Sequence, residues 1–143
     1  GGPLKLAGIE VADDQGLIGT SDADVAVHAL IDALLGAAAL GDIGTYFPSS
    51  DPRWEGADSL DLLREVVATV GSAGYQVGSV DLTVVAQNVR VAPHREAMRS
   101  CLAEVLGLSI NSVSVKATTT DALGFLGREE GIGATAVAVI QPA

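Results

Sequence analysis

The chain has 143 residues, of which 48% are hydrophobic and 3% are aromatic, and its formal net charge is −10. A chain of this length can form one ordinary domain with its own core, which Ala, Val, Leu and Ile must fill. The acidic balance argues against a nucleic-acid partner and against an anionic membrane surface. It leaves room for one phosphorylated substrate, because local cations and metal ions set the field inside a pocket.

The cysteine content and the hydropathy pattern indicate the compartment. Cys101 is the one cysteine, so no intramolecular disulfide can form, which fits a reducing environment. The most apolar run, residues 25–40, is interrupted by His28 and Asp32 and is too short to span a membrane. The sequence shows no signal peptide, internal repeat or linker. We therefore expect a single cytoplasmic domain over residues 1–143, with no membrane and no nucleic acid as partner.

The first elements predicted along the chain are a strand and a long helix. Residues 4–11 have the pattern of a strand. A helix is expected over residues 22–40, with Ser21 as its N-cap and Asp24 at the capping-box position. Gly41 is expected to end this helix.

The second half of the chain alternates helices and strands. Asp58 or Ser59 is expected to cap a second helix, and a strand follows over residues 75–87. Pro93 opens a third helix, which Gly107 ends. The last two strands are predicted at residues 112–117 and 133–141.

The final strand has no polar face. One face carries small side chains and the other carries β-branched ones: Ala134, Ala136 and Ala138 against Thr135, Val137 and Val139. Both faces should therefore be covered. Helices can cover one face, and the small side chains suit close packing against another subunit. The expected fold is an α+β layer with a mixed β-sheet, helices on one face, and sheets that pack together in an oligomer.

The most informative segment is residues 116–131, which read KATTTDALGFLGREEG. Three threonines follow a strand, the carboxylate of Asp121 comes next, and glycines then punctuate a loop that carries Phe125 and Arg128. Hydroxyls, backbone N–H groups, a carboxylate and an arginine at one strand end are what a site for phosphate and a divalent metal needs. The alternative is purely structural, since Thr favours strands and Gly favours turns.

A second group of polar residues lies on the first predicted helix. Asp24, His28 and Asp32 are spaced four residues apart, so they line one stripe of an otherwise apolar helix. Such a stripe is either a solvent face or part of a site. The segment 41–52, GDIGTYFPSSDP, follows and is either a plain connector or a mobile loop over a site.

Taken together, these segments resemble the 2-C-methyl-D-erythritol 2,4-cyclodiphosphate synthase family of non-mevalonate isoprenoid biosynthesis. The resemblance is carried by separated motifs in the family's order: SDADVAVHA at 21–29, DALLGA at 32–37 and on to Gly44, Asp51-Pro52, GADS at 56–59, and residues 116–131.

The resemblance implies a reaction, an assembly and metals. The 2-phosphate of a cytidine-diphosphate methylerythritol attacks the β-phosphorus, which expels CMP and closes a cyclodiphosphate. Family members are homotrimers with active sites between subunits, and a cavity on the threefold axis is a possible site for an isoprenoid diphosphate. His28 matches a zinc ligand, and Asp121 matches the acidic residue that holds a second divalent ion, magnesium or manganese, on the diphosphate.

The resemblance also implies site residues. Thr119, Thr20 and Asp121 take the catalytic positions. The implied substrate-binding residues are Thr20, Ser21, Asp32, Asp42, Ile43, Gly44, Phe47, Pro48, Ser49, Ser50, Asp51, Ala86, Gln87, Asn88, Val89, Arg90, Val91, Ala92, Thr118, Thr119, Thr120, Asp121, Phe125 and Arg128. Residues 86–92 match the cytidine-binding segment, and residues 42–44 and 47–51 match the methylerythritol loop.

The chain also departs from the family pattern. The family's first strand, with its Asp-x-His pair of zinc ligands, is absent from the chain, and Thr20 stands where a His is usual. Asp121 replaces a Glu, and Arg90 replaces a Lys. Two interpretations stay open: an enzyme of this family that the chain represents incompletely, or a catalytically degenerate trimer that binds a nucleotide or an isoprenoid diphosphate.

Overall fold

The computed structural model describes residues 4–11, 24–54, 57–87, 90–119 and 132–143. Its strands and helices, in chain order, are β1 (Leu4–Leu6), β2 (Ile9–Val11), α1 (Val25–Ala37), α2 (Ile43–Tyr46), α3 (Ser59–Ser72), β3 (Tyr75–Val85), α4 (Arg95–Leu106), β4 (Val113–Thr118) and β5 (Gly133–Pro142). Short 3₁₀ turns lie at Pro52–Trp54, Ala92–His94 and Ile110–Ser112.

The first predicted strand is folded into a hairpin. β1 and β2 pair antiparallel across a turn at Ala7 and Gly8, whose φ angles are 53° and 81°. Such angles are costly for alanine. The turn is held because the carboxylate of Asp24 accepts hydrogen bonds from the N–H groups of both turn residues, at 2.9 and 2.7 Å. The prediction of one continuous strand over residues 4–11 was therefore wrong.

The first helix is shorter than predicted at both ends. Asp24 has an extended backbone and is itself the N-cap, because its carboxylate accepts from Val27 N at 3.0 Å. The predicted start at residue 22 was wrong; Ser21, the predicted N-cap, lies outside the described residues. At the other end, Ala39 has φ 56°, and the N–H of Leu40 bonds to Leu35 O at 2.8 Å. This is a Schellman closure, so the helix ends before Gly41 is reached.

The other two long helices follow the predicted signals closely. Asp58, rather than Ser59, caps α3 through a 2.9 Å bond to Leu60 N. Gly107 ends α4 with φ 69°. Pro93 lies in the 3₁₀ turn before α4, so the regular helix starts at Arg95, two residues later than predicted.

The three-stranded sheet is mixed, which confirms the predicted fold class. β3 is central, pairs parallel with β4 and pairs antiparallel with β5. β3 ends at Val85, two residues short of the prediction. α1 packs on β5 and β3, α3 packs on β3, and α4 packs beside β4. The core is aliphatic, as the composition requires; its largest fully buried side chains include Leu30, Ile31, Leu34, Leu63, Leu82, Met98 and Leu102.

The two faces of β5 have the opposite roles to those predicted. Ala134, Ala136 and Ala138 pack against the core, beside Val84, Leu82 and Val80 of β3. Their small side chains let α1 lie directly on the sheet. Val137 and Val139 point away from the helices and are 64% and 54% exposed. The prediction that the alanine face meets another subunit was wrong.

Among the residues that the structure describes, none of the helices combines the length and the apolar character needed to cross a membrane.

Candidate active site

The ends of β3 and β4 bring two predicted segments together. The two strands are parallel, so they end at the same edge of the sheet, with Val85 beside Thr118. The N–H of Ala86 then donates to Thr118 O at 3.1 Å. Ala86 and Gln87, from the predicted cytidine segment, therefore adjoin the exposed Thr118 and Thr119. These threonines lie where a phosphate group could reach their hydroxyl and amide groups.

The remainder of the predicted cytidine segment returns into α4. Arg90 is exposed, Val91 is buried, and Ala92 opens the 3₁₀ turn. The N–H of His94 bonds to Val91 O at 2.9 Å, which closes this turn. The other predicted residues nearby, Asn88, Val89 and Thr120, lie outside the described residues.

The polar stripe on α1 divides into residues with different environments. Asp24 is fully buried and accepts hydrogen bonds from Ala7, Gly8 and Val27, so its role is structural. His28 is half-buried, one turn further along the helix, and its N–H bonds to Asp24 O at 3.0 Å. Asp32 is exposed. The stripe is therefore not a simple solvent face.

Asp32 and Asp42 meet at the start of the predicted methylerythritol loop. Asp32 accepts from the N–H of Ile43 at 2.7 Å, which ties α1 to α2. Asp42 caps α2 by accepting from the N–H and the hydroxyl of Thr45, at 3.0 and 2.9 Å. Gly44 is exposed within this one-turn helix. The structure thus brings Asp32 and Asp42–Gly44 together, as the resemblance implies.

An aromatic and ionic cluster holds the rest of this loop. Phe47 packs edge-on against Trp54, with ring centroids 4.7 Å apart, and Arg53 lies 5.2 Å from the centroid of Trp54. The guanidinium of Arg53 also donates to both carboxylate oxygens of Asp51, from Nη2 to Oδ2 at 3.0 Å and from Nε to Oδ1 at 3.4 Å, and the Arg53 N–H donates to Oδ1 at 3.0 Å. The hydrogen bond from the Arg53 side chain lowers the pKa of Asp51 below its usual value, which shows that the pair favours the ionised carboxylate.

Pro48, Ser49 and Ser50 complete the loop, with both serines exposed. Sequence reasoning missed Arg53 and Trp54. The signal was an arginine two residues after Asp51 and directly beside the single tryptophan of the chain.

The described residues do not by themselves fit a zinc ion. They include no group of three or more His, Cys, Asp or Glu side chains arranged to hold a metal. His28 supplies one donor, whereas catalytic zinc takes three protein ligands. Six predicted site residues lie outside the described parts of the chain in addition to Asn88 and Val89: Thr20, Ser21, Thr120, Asp121, Phe125 and Arg128.

Cys101 has the environment of a structural thiol. It is half-buried on α4, and burial raises its pKa. A Cβ added to Gly8 would lie 2.8 Å from its sulfur and 2.9 Å from a methyl of Leu60. The thiol therefore packs under the hairpin turn and stays protonated at neutral pH, which makes it a poor nucleophile.

The fold places this chain among α+β proteins with a mixed sheet covered by helices. Within that class, the model of the YgbB family matches residues 1–141, and the chain belongs to this family.

Two relatives named 2-C-methyl-D-erythritol 2,4-cyclodiphosphate synthase are similar over nearly the whole chain. The protein of Symbiobacterium thermophilum is 56% identical over 140 residues, which cover 98% of this chain and 89% of the relative. The protein of Pseudomonas aeruginosa strain LESB58 is 57% identical over 137 residues, which cover 96% of this chain and 87% of the relative.

Solved structures of proteins with the same or a related name are also similar to this chain in fold. The bifunctional IspDF of Campylobacter jejuni has a TM-score of 0.94 and 39% identity; the match covers 99% of this chain and 38% of that one. A 2C-methyl-D-erythritol-2,4-cyclodiphosphate synthase in a CDP-bound form has a TM-score of 0.85 and 34% identity, with 99% and 91% covered.

Replacement of Asp24 tests its structural role. Asp24→Ala leaves two buried N–H groups, of Ala7 and Val27, and one part-buried N–H group, of Gly8, without their acceptor, and each such loss costs about 1–3 kcal/mol when the donor is buried. We expect the free energy of unfolding to fall by about 3 kcal/mol or more in urea denaturation at a fixed protein concentration.

Asp58→Ala is the matched control, because Asp58 is an exposed N-cap that accepts at one N–H. It should cost only about 1 kcal/mol. Equal losses in the two variants would contradict the role of Asp24 as the link between hairpin and helix.

Proposed function

We propose that the chain, acting as one domain, cyclises 4-diphosphocytidyl-2-C-methyl-D-erythritol 2-phosphate to 2-C-methyl-D-erythritol 2,4-cyclodiphosphate with release of CMP. It is thus a lyase of isoprenoid biosynthesis. The observation that carries this function is the 56% identity to the Symbiobacterium synthase over almost the whole chain. The junction of Ala86 with Thr118 supports it, because it joins the segment for the cytidine to the threonines for the diphosphate.

The reaction asks for positioning and charge neutralisation rather than for a protein nucleophile. An oxygen of the 2-phosphate forms a new bond to the β-phosphorus, and the bond from that phosphorus to the bridging oxygen breaks. CMP leaves with this electron pair. Both reacting groups belong to one substrate, so the protein lowers the barrier by holding its two ends and by placing donors around the developing charge.

The residues at the ends of β3 and β4 bind one end of the substrate, and those of α1 and the loop 42–51 bind the other. Residues 86–92 hold the cytidine. Thr118, Thr119 and Thr120 donate to the diphosphate, and Phe125 and Arg128, later in the same motif, also contact the substrate. Residues 42–44 and 47–51, with Asp32, hold the methylerythritol, and Arg53 holds the carboxylate of Asp51 in place. Thr20 and Ser21 meet the 2-phosphate, where the hydroxyl of Thr20 donates a neutral hydrogen bond instead of a charged one.

Divalent metal ions complete the proposal. Asp121 would hold magnesium or manganese against the diphosphate, and His28 would be one ligand of zinc, together with ligands beyond the described residues. When bound, such ions neutralise phosphate charge and polarise the phosphoryl oxygens.

We also propose that the protein is a homotrimer that associates through the open face of the sheet. Val137 and Val139 are large exposed apolar side chains midway along β5, on the open face of the described sheet. Burial of such side chains is favourable, since apolar area removed from water contributes about 25 cal/mol per Å². Neighbouring subunits would then bring the α1–α2 residues of one chain toward the strand ends of the next. A cavity on the threefold axis would be the place for an isoprenoid diphosphate.

The activity is tested by incubating the protein with the cytidine-diphosphate substrate and magnesium. We expect CMP and the cyclodiphosphate to appear in equal amounts. Chromatography would measure the CMP, and ³¹P NMR would detect the cyclodiphosphate. CMP binding without turnover, in protein that contains zinc, would favour the alternative of a catalytically degenerate binding protein.

The assembly is tested by Val137→Lys. If the open sheet face is the interface, this change buries an unpaired charge there and should give folded monomers. Light scattering would report a mass of one chain instead of three, while circular dichroism stays unchanged.

Ala97→Lys is the matched control, since Ala97 is exposed on α4. It should leave the trimer intact. A trimeric Val137→Lys protein would place the interface elsewhere.

A further inference from the structure

Two arginines of α4 bind the carbonyl groups along the free edge of β4. Arg95 Nε donates to Val115 O at 3.0 Å, and Arg99 Nε donates to Val113 O at 2.8 Å. The spacing matches, because four helical residues rise about 6.0 Å and two strand residues rise about 6.6 Å. Since β4 is an edge strand in the described sheet, these carbonyls have no strand partner on that side. The arginines therefore fix α4 in register against β4.

The two arginines serve different ends of the strand. Arg99 also binds Ile110 O at 2.9 Å and pairs with Glu96 at 2.8 Å, so it holds the turn that enters β4. Arg95 binds the carbonyl of Val115, which lies three residues before Thr118 and near the end of the strand that holds the candidate site. It also follows directly on the Ala92–His94 turn.

The segment 86–92 is consequently tied to β4 at both ends. At its start, the N–H of Ala86 donates to Thr118 O. At its end, Ala92–His94 leads into Arg95, whose side chain donates to Val115 O. Both anchors lie on one strand, three residues apart, so together they set the separation between the two ends of the segment.

We propose that Arg95 is a positioning residue for the nucleotide end of the substrate. It holds the described end of the cytidine segment, residues 90–92, at a fixed place relative to the threonines of β4, and in this way it sets the affinity for the cytidine monophosphate moiety. This inference rests on the proposed function for the identity of the ligand.

The chemistry of the side chain explains why an arginine is needed. A guanidinium presents its Nε–H group in a rigid plane at a fixed place along the side chain. A lysine keeps the charge, but its ammonium is a flexible point donor and cannot reproduce this geometry. Arg95→Lys therefore tests position separately from charge. Arg99→Lys is the matched control, because Arg99 makes the same bond to the same strand one helical turn further from the segment.

The first measurement is binding of CMP to the zinc- and magnesium-loaded protein by calorimetry. We expect Arg95→Lys to weaken CMP binding about tenfold, because binding must then supply the cost of ordering the segment that one hydrogen bond no longer holds, and a lost hydrogen bond changes an equilibrium by about that factor. Arg99→Lys should change it by less than about twofold. In turnover, Arg95→Lys should raise KM more than it lowers kcat. Equal weakening of CMP binding in both variants would overturn the inference, as would unchanged binding in Arg95→Lys.

The second measurement is hydrogen exchange without ligand. Arg95→Lys should speed exchange of the amides in residues 86–92, and Arg99→Lys should speed it in residues 110–113 instead. Because exchange is measured without CMP, it tests the positioning role of Arg95 separately from the proposed function. If the unaltered protein does not bind CMP, the proposed function fails, whereas the exchange pattern still decides the positioning role of Arg95. Unchanged exchange at residues 86–92 in Arg95→Lys would sink that role.

Discussion

The buried carboxylate of Asp24 is the contact on which the arrangement of this fold depends. It accepts from two N–H groups of the hairpin turn and from one at the start of α1, with no exposure to solvent. Three donors around one carboxylate repay the cost of burying its charge. The contact joins β1 and β2 to the helix that carries His28 and Asp32, so the position of one half of the candidate site follows from it.

The other half of the site depends on the sheet. The parallel pairing of β3 and β4 brings the chain after Val85 beside Thr118, and the arginines of α4 fix that helix along the free edge of β4. Both halves therefore rest on backbone groups that a side chain or a strand satisfies, rather than on loop packing alone. This rigidity suits a reaction in which the protein holds the two ends of one substrate and supplies no nucleophile.

The open face of the sheet is the surface on which the proposed assembly rests. Val137 and Val139 stand exposed on it, beside the ion pair of Lys116 with Asp81, whose Nζ–Oδ2 distance is 2.8 Å. The same strand buries its alanines under α1, where small side chains allow a close approach. β5 thus packs its small side chains under the helices and leaves its large ones exposed on the other face.

The sequence by itself determined the three long helices, the three strands of the sheet and the family, because caps, turn residues and motifs are local signals. The sequence alone predicted the cap at Asp58, the helix end at Gly107 and the strand β5 from its alternation. It also placed Asp32 and Asp42 in one motif. Tertiary structure decided what depends on residues distant in the chain. The hairpin turn at Ala7 needs the carboxylate of Asp24, seventeen residues away. Which face of β5 meets α1, and which carbonyl Arg95 binds, likewise depends on packing between elements, for which periodicity within one strand or helix carries no signal.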